Sequence, residues 1–380
     1  MPEAPPAATF AQPSSAVTFA QVFEELSSAR GPSALTLRAA FDAIFAGAWT
    51  PIQVGAFAVA LRMRGETSEE IVGAAQALRA TMASVDHGLE VVVDTCGTGG
   101  DGSQTMNLSS AAAVIVAACG LAVAKHGNRS ASSRCGSADV FEALGVPLDV
   151  PPARQAEVLR EAGITFLFAP AHHPALKHAA QARRELGART IFNALGPLAN
   201  PARATHQLVG VYDDGLRPIA ARALGALGGR RAWVVRSEDG LDEISPSAPT
   251  RVSELLESGE VRERVVTPED FGLRRTPRAD IAGGDVAENA RALATILEGG
   301  RHPAREGAVL NAAAALAVAT GDALEACADR ARRALDGGAA RATFDRWRSA
   351  AARARGGPEE TRSPEHPGKA TDGGEAGRGG

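Results

Sequence analysis

Large rings are rare in this chain: aromatic residues make up 4% of its 380 positions. Its core therefore has to come from Ala, Leu and Val with backbones brought close together. Cysteine is rarer still. Cys96, Cys119, Cys135 and Cys327 show no C-x-x-C spacing, and so few thiols in so long a chain exclude a disulfide framework, leaving reduced cytosolic thiols as the expectation. A membrane-spanning run is also missing. The longest apolar stretch, Ala111 to Ala124, is broken by Gly120 and falls short of the roughly 20 residues needed to cross a bilayer, so it predicts a core helix followed by a strand. With a formal net charge of -4 the composition offers no broad basic face, which argues against nucleic acid as the main partner. Residues 1 to 16 lack the basic start and continuous apolar stretch of a secretory signal. From residue 355 onward there is almost no apolar side chain to offset the entropy of ordering. Segments 1–16 and 351–380 are accordingly expected to be disordered tails around a body large enough for two domains.

What is present concentrates in Val91 to Gly145. Apolar Val91 to Val93 predict a short buried strand, and Gly97, Gly99, Gly100 and Gly102 then free the backbone to bend and to present N–H groups at close range. Asn107 reads as the N-cap of an Ala-rich helix, Leu108 to Cys119, closed by Gly120. That helix start would face the glycine loop, a favourable seat for phosphate. The next run, Leu121 to Ala124, delivers Lys125, and a second polar loop brings Asn128, Arg129, Ser130, Ser132, Ser133 and Ser137 to the same rim. Donors dominate it and acid is scarce.

Three readings compete for the glycine loop. A tight strand-to-helix turn is the plain one. A dinucleotide loop is formally available, because Gly97, Gly99 and Gly102 fit G-x-G-x-x-G. The acid that this fingerprint wants about 20 positions on is missing, however, since nothing acidic lies between Asp101 and Asp139. Nor does a G-K-[ST] make a nucleoside-triphosphate loop. The third reading is a phosphorylated sugar whose diphosphate lies on the loop, with Asp101 near a hydroxyl or a hydrated metal; it alone uses every residue. Cys96, beside the loop, would make a nucleophile with His126, but a small packing residue is the better reading.

Residues 17–88 carry helical spacing with caps, Thr50-Pro51 and Thr67 among them, and no strand signal. From residue 91 short Val-rich strands alternate with Ala-rich helices, as in Leu208 to Tyr212, a helix to Leu227, then Arg231 to Val235. That alternation predicts a mainly parallel sheet covered by helices. The stretch from His172 returns to helix and stops at Gly187. The fold class is thus α/β, with a small all-helical N-terminal domain and a larger α/β domain whose central sheet is mainly parallel and flanked by helices.

The motifs GTGGD at 97–101, N-x-S-S at 107–110, KHGNRSASS at 125–133, GSAD at 136–139, RRELGARTIFNALGPLANP at 183–201 and GLDEIS at 240–245 stand in a telling order. In these motifs, over about residues 18 to 350, the chain resembles the anthranilate phosphoribosyltransferases of tryptophan biosynthesis, in the superfamily shared with thymidine-type nucleoside phosphorylases. One departure is Ser110, where the family usually has Thr; the hydroxyl is retained. The resemblance implies transfer of a phosphoribosyl group from 5-phosphoribosyl diphosphate to the amine of anthranilate, with release of diphosphate. It also implies a small helical domain of residues 17–88 plus about 172–200 and a large donor domain of residues 89–171 plus 201–350, with the active site in the cleft between them.

Carried over by motif, the donor is expected on Gly97, Gly99, Gly100, Asp101, Thr105, Asn107, Leu108, Ser109, Ser110, Lys125, His126, Gly127, Asn128, Arg129, Ser130, Ala131, Ser132, Ser133 and Ser137. Anthranilate is expected at Gly97, Asn128 and Arg183, and Mg2+, as two ions, at Ser109, Asp242 and Glu243. Taken alone, Asp242-Glu243 is an ordinary solvated turn and Arg183 an ordinary surface charge. His126 and His173 read as well for packing or capping as for substrate contact. No residue is expected to act as a catalytic acid or base. The resemblance further implies a homodimer through the helical domain, in the cytoplasm, with neither membrane nor nucleic acid as partner. A nucleoside phosphorylase and a non-catalytic nucleic-acid-binding relative are the alternatives. Turnover of anthranilate separates the first, and salt-dependent DNA binding would mark the second.

Overall fold

The computed structural model describes residues 17–28, 31–130 and 134–356. Four helices open the chain: α1 (Phe19–Ser27), α2 (Ala34–Phe45), α3 (Pro51–Arg64) and α4 (Ser68–Ala80). Three of them start where the sequence places a capping box, Thr18 with Gln21, Thr50 with Gln53 and Thr67 with Glu70, each threonine accepting the backbone N–H that the helix leaves unpaired. Then come β1 (Val92–Gly97), α5 (Leu108–Ala118), β2 (Ala122–Gly127), α6 (Ser137–Ala143), α7 (Gln155–Ala162) and β3 (Ile164–Phe168). A helical return follows, α8 (Ala169–His172), α9 (Lys177–Leu186) and α10 (Ile191–Leu198), before β4 (His206–Gly210), α11 (Leu216–Ala226), β5 (Arg231–Ser237), β6 (Thr250–Leu255) and β7 (Val261–Val266). The chain ends in α12 (Val286–Leu297), α13 (Arg305–Thr320), α14 (Leu324–Asp336) and α15 (Ala339–Arg355).

The strands form one sheet in the order β3-β2-β1-β4-β5-β6-β7. Every pairing from β3 to β5 is parallel, and the last two are antiparallel. Strand order reverses beside β1, between β2 and β4, and in an open α/β sheet a crevice opens outside the strand ends at such a switch point. The glycine loop leaves the C-terminal end of β1, so topology alone sets it at the rim of that crevice.

Close backbone approach is visible in the Ala-rich helices α5 and α13, whose residues from Gly307 to Val318 are all buried. The few aromatic rings are not spread thin, however. Phe41, Phe57, Trp49 and Phe192 meet edge to face at 5.3 to 5.8 Å in the helical layer, where α10 joins the N-terminal helices. The two layers are joined by Arg79 of α4, which donates to the carbonyls of Leu198 (2.7 Å) and Leu227 (2.8 Å). Helix α15 passes the boundary expected at 350 and runs to Arg355, because Ala351 and Ala354 continue its buried stripe. The remaining tail residues expected at either end lie outside the described residues. Among the described residues no helix is long and apolar enough to cross a membrane.

Candidate functional site

A cleft of about 1040 Å³ lies between the C-terminal edge of the sheet and helices α9 and α10. At one end of it the glycine loop takes backbone conformations that side chains rarely adopt, with φ of +65° at Gly99, +78° at Gly100 and +76° at Gly102. No protein atom stands within 4 Å of a Cβ placed on Gly99, so its glycine is demanded by φ and by whatever approaches from the cleft. The loop is anchored from several sides. Thr98 N–H donates to the Gly210 carbonyl (2.9 Å), Gly99 N–H to Asp242 Oδ2 (3.0 Å) and Gly283 N–H to the Gln104 carbonyl (2.8 Å).

Asn107 does not cap α5 with its side chain. Its carboxamide turns outward instead, donating to the Cys135 carbonyl (3.3 Å) and accepting from Asn289 Nδ2 of α12 (3.1 Å). It thereby ties the helix start to the second polar loop. The first turn of α5 is engaged by an acid: Ser109 N–H donates to Glu243 Oε1 at 3.1 Å. Leu108 and Ser110 are fully buried and lie off the cleft wall, in the body of α5. Lys125 is nearly fully buried on the cleft floor, where its ammonium donates to the Thr95 carbonyl and to Ser109 Oγ (3.3 Å). Burial lowers its pKa, opposed by the carboxylate of Asp94.

Asp242 and Glu243 are not the solvated turn that their type suggests. Both sit part-buried in the cleft floor, and Glu243 Oε2 has no solvent-exposed surface and, among the described residues, no hydrogen-bond partner. Burial first, and the neighbouring Asp101 second, push the Asp242 carboxyl up to about 7. Burial and Asp242 likewise raise Glu243 well above the carboxylate range. Acids so placed favour a cation. Among the described residues no group of three or more His, Cys, Asp or Glu side chains is arranged to enclose a metal.

The second polar loop is less free than its composition predicts. Arg129 reaches the cleft wall but is ion-paired with Asp139 (2.9 Å) and Glu142 (2.7 Å) of α6, and Ser130 N–H donates to Asp139 Oδ2 (3.2 Å). Acid is therefore present at this rim. Asn128 and Ser137 face the cleft, and Gly127 is held to glycine because a Cβ would come within 2.4 Å of Ser137 Oγ. Ala131, Ser132 and Ser133 lie outside the described residues.

At the far end Arg183 of α9 points into the cleft, half-buried. No hydrogen bond or ion pair of its guanidinium is found among the described residues, and burial lowers its pKa. Its neighbour Arg184 is exposed. His126 bonds the Gly196 carbonyl through Nδ1 (3.0 Å), and its ring lies 5.0 Å from that of His173. Burial holds both imidazoles neutral, lowering His126 to about 3 and His173 to about 4. Cys96 is buried, and burial together with Asp94 raises its thiol well above the ordinary value, so the nucleophile reading falls.

Sequence reasoning passed over several cleft residues. Arg189 stacks on the Tyr212 ring at 4.8 Å and flanks Gly100, while Asn193 and Asn311 line the wall. Gly210, at the end of β4, leaves room for the Asp242 carbonyl, which would lie 1.5 Å from a Cβ. None carried a local signal: Gly210 ends an ordinary strand, and Asn311 is one polar residue in an apolar helix.

A helical bundle set against an α/β sheet, with a glycine loop at the cleft between them, defines a class of glycosyl transferase. Residues 22–82 match the helical bundle domain of that family and residues 89–341 its a/b domain. Anthranilate phosphoribosyltransferase of Myxococcus xanthus is 54% identical over 299 residues, 78% of this chain and 88% of that protein. The crystal structure of the Thermus thermophilus enzyme of that name is 40% identical with a TM-score of 0.80, covering 84% of this chain and 96% of that one. The Saccharomyces cerevisiae enzyme, solved in complex with PRPP and Mg, is 27% identical with a TM-score of 0.82 over 88% and 98% of the two chains. The chain belongs to the anthranilate phosphoribosyltransferase family.

Proposed function

We infer that the chain transfers the phosphoribosyl group of 5-phosphoribosyl diphosphate to the amine of anthranilate, giving N-(5-phosphoribosyl)anthranilate and diphosphate in tryptophan biosynthesis. The observation that carries this reading is the polarity of one cleft. A desolvated guanidinium, that of Arg183, stands at one end without a partner among the described residues, and crowded acids stand at the other beside a loop of backbone donors, with Glu243 Oε2 likewise unpaired among the described residues. The first complements a carboxylate. The second complements a metal-bound diphosphate.

An aromatic amine is neutral at pH 7 and already nucleophilic, so no strong base is demanded, and the neutral imidazoles of His126 and His173 are consistent with that. The chain's own work is to align the two substrates and to surround the departing charge. Backbone N–H groups of the glycine loop and the start of α5, with Lys125 beneath, hold the diphosphate; Arg183 and Asn128 orient anthranilate. Asp242, Glu243 and Ser109 hold Mg2+, in two ions, and Mg2+ bound there supplies positive charge against the leaving diphosphate. Leu35, Ile52 and Met63, each at least 80% exposed on α2 and α3, support association of two copies through the helical domain. Free thiols support a cytoplasmic setting. The test is incubation of purified protein with anthranilate, 5-phosphoribosyl diphosphate and Mg2+, following the loss of anthranilate fluorescence. Persistence of that fluorescence with all three present overturns the reading.

A further inference from the structure

The acidic pair keeps its depth in the cleft through residues outside its own turn. Helix α13 is buried on all sides from Gly307 to Val318, and Asn311 is the one polar side chain in that stretch. A carboxamide in such a place is costly unless its atoms are paired. Asn311 Oδ1 accepts the N–H of Ile244 at 3.0 Å, and Nδ2 donates to the carbonyl of Ile244 at 3.0 Å and to that of Gly307 at 3.0 Å. Both backbone groups of Ile244, the residue that follows Glu243, are thus held by one side chain, as a neighbouring strand would hold them. From the other side the turn rests on Gly210, where only the missing Cβ admits the Asp242 carbonyl. Ahead of it, Asp242 and Glu243 accept the N–H groups of Gly99 (3.0 Å) and Ser109 (3.1 Å), one in the glycine loop and one in the first turn of α5.

We propose that Asn311 is a positioning residue for the cation and diphosphate: its buried carboxamide fixes the Asp242-Glu243 turn, and through it the two donor elements, at the depth the site requires. It touches neither substrate nor reacting atoms in this role. An apolar residue would fill the same space in α13, so the three hydrogen bonds directed at Ile244 and Gly307 are what the asparagine adds. This inference rests on the reading of the acidic pair as the Mg2+ site.

The test is calorimetric titration of the full chain with Mg2+ and inorganic diphosphate, which requires no turnover, in parallel with steady-state kinetics. Outer partners that orient metal ligands typically contribute about 10- to 100-fold to metal affinity. Asn311→Leu is therefore expected to weaken Mg2+-diphosphate binding by at least about tenfold and to raise the half-saturating Mg2+ concentration in the assay to a similar degree. The KM for anthranilate should move by less than about twofold, because Arg183 lies at the other end of the cleft. Ala312→Gly, on the same helix, is the control for lost stability without lost positioning. Should Asn311→Leu fail to fold, the smaller Asn311→Ser carries the same expectation. Unchanged Mg2+-diphosphate affinity in the soluble Asn311 variant overturns the proposal, as does an equal loss in Ala312→Gly. Glu243→Gln, titrated alongside, separates the two ideas. If it too binds as the parent does, the reading of the acidic pair fails; if it is impaired and the Asn311 variant is not, only the positioning role fails.

Discussion

The two ends of the cleft are built from different materials. The donor end is largely backbone: glycines at positive φ, loop N–H groups and the start of a helix, with carboxyl groups crowded against them. The acceptor end is side chain: Arg183 from one helix, with His126 from a strand end and His173 from a turn before it. Each end is electrostatically incomplete in the opposite sense. Carboxyl groups at the first are raised by burial and by one another, and the guanidinium at the second is lowered by burial. On the proposed reading, a single cleft with two such ends would order its ligands by charge before any close contact is made.

The sharpest way to break this contrast is at the acids. Replacing Glu243 by Gln is expected to lower kcat/KM by about a hundredfold or more, the scale of a lost electrostatic contact to developing charge. Its melting temperature should shift by less than about 2 °C, because a buried carboxyl already driven toward its protonated form exchanges for an amide at little cost. Calorimetry together with Mg2+-dependent kinetics checks both halves. Full activity in this variant would remove the acids from the donor end.

Next in size is Gly210→Ala. A Cβ there must displace the Asp242 carbonyl, and misplacement by about 1 Å can cost on the order of a hundredfold. Donor KM should rise by at least about tenfold, with anthranilate KM much less affected. Gly99→Ala meets no neighbouring atom and strains the loop only through φ, so its effect in the same donor titration should be the smaller. The opposite ranking would mean that the acidic turn can shift freely.

At the acceptor end, Arg183→Gln removes the charge-assisted hydrogen bond to anthranilate that the proposal assigns, worth about 1.5 to 3 kcal/mol. The specificity constant for anthranilate should fall by about tenfold or more, while donor binding changes little. Arg184→Gln is the comparison, since that side chain borders the same cleft but is exposed to solvent. If Arg184 proves the damaging position, α9 presents another face to the cleft.

The smallest effect is on stability against pH. His126 and His173 are held below the ordinary imidazole value, at about 3 and about 4, so between those values and about 6.5 the unfolded chain binds more protons than the folded one. Stability should therefore fall as pH drops below about 6.5, by up to about 1.4 kcal/mol per pH unit for each histidine. Urea melts at pH 5 and pH 7 should show a shallower decline for His126→Gln. An unaltered slope would show that this imidazole is hydrated and free to protonate.

The same contrast governs how much could be read from residue order. Capping boxes mark the starts of α1, α3 and α4 because the atoms involved are three residues apart. The glycine loop is legible because successive residues share one φ requirement. Asn107 holds the N-cap position that residue order gives it, but its side chain makes no cap bond, because its partner is Asn289, 182 positions away. The acidic pair looked solvated because nothing in GLDEIS reveals that Gly99 and Ser109 will close over it. Strands β6 and β7 left no clear trace either; the exposed face of β7 is charged, and an edge strand paired on one side needs no continuous apolar pattern.

Residue order by itself thus determined the local chemistry: which turns bend, which helices start where, and which segments carry donors for a polyanion. Those properties depend on atoms within a few bonds of one another. Depth, pairing and protonation were decided only by the tertiary structure. Asp242 acquires its raised pKa from burial and from Asp101, 141 positions away, and its Gly99 contact across 143, and Ile244 is held by Asn311 across 67. The physical reason is that desolvation and long-range hydrogen bonding depend on what packs against a group, and in this chain those neighbours arrive from strands and helices far away in sequence.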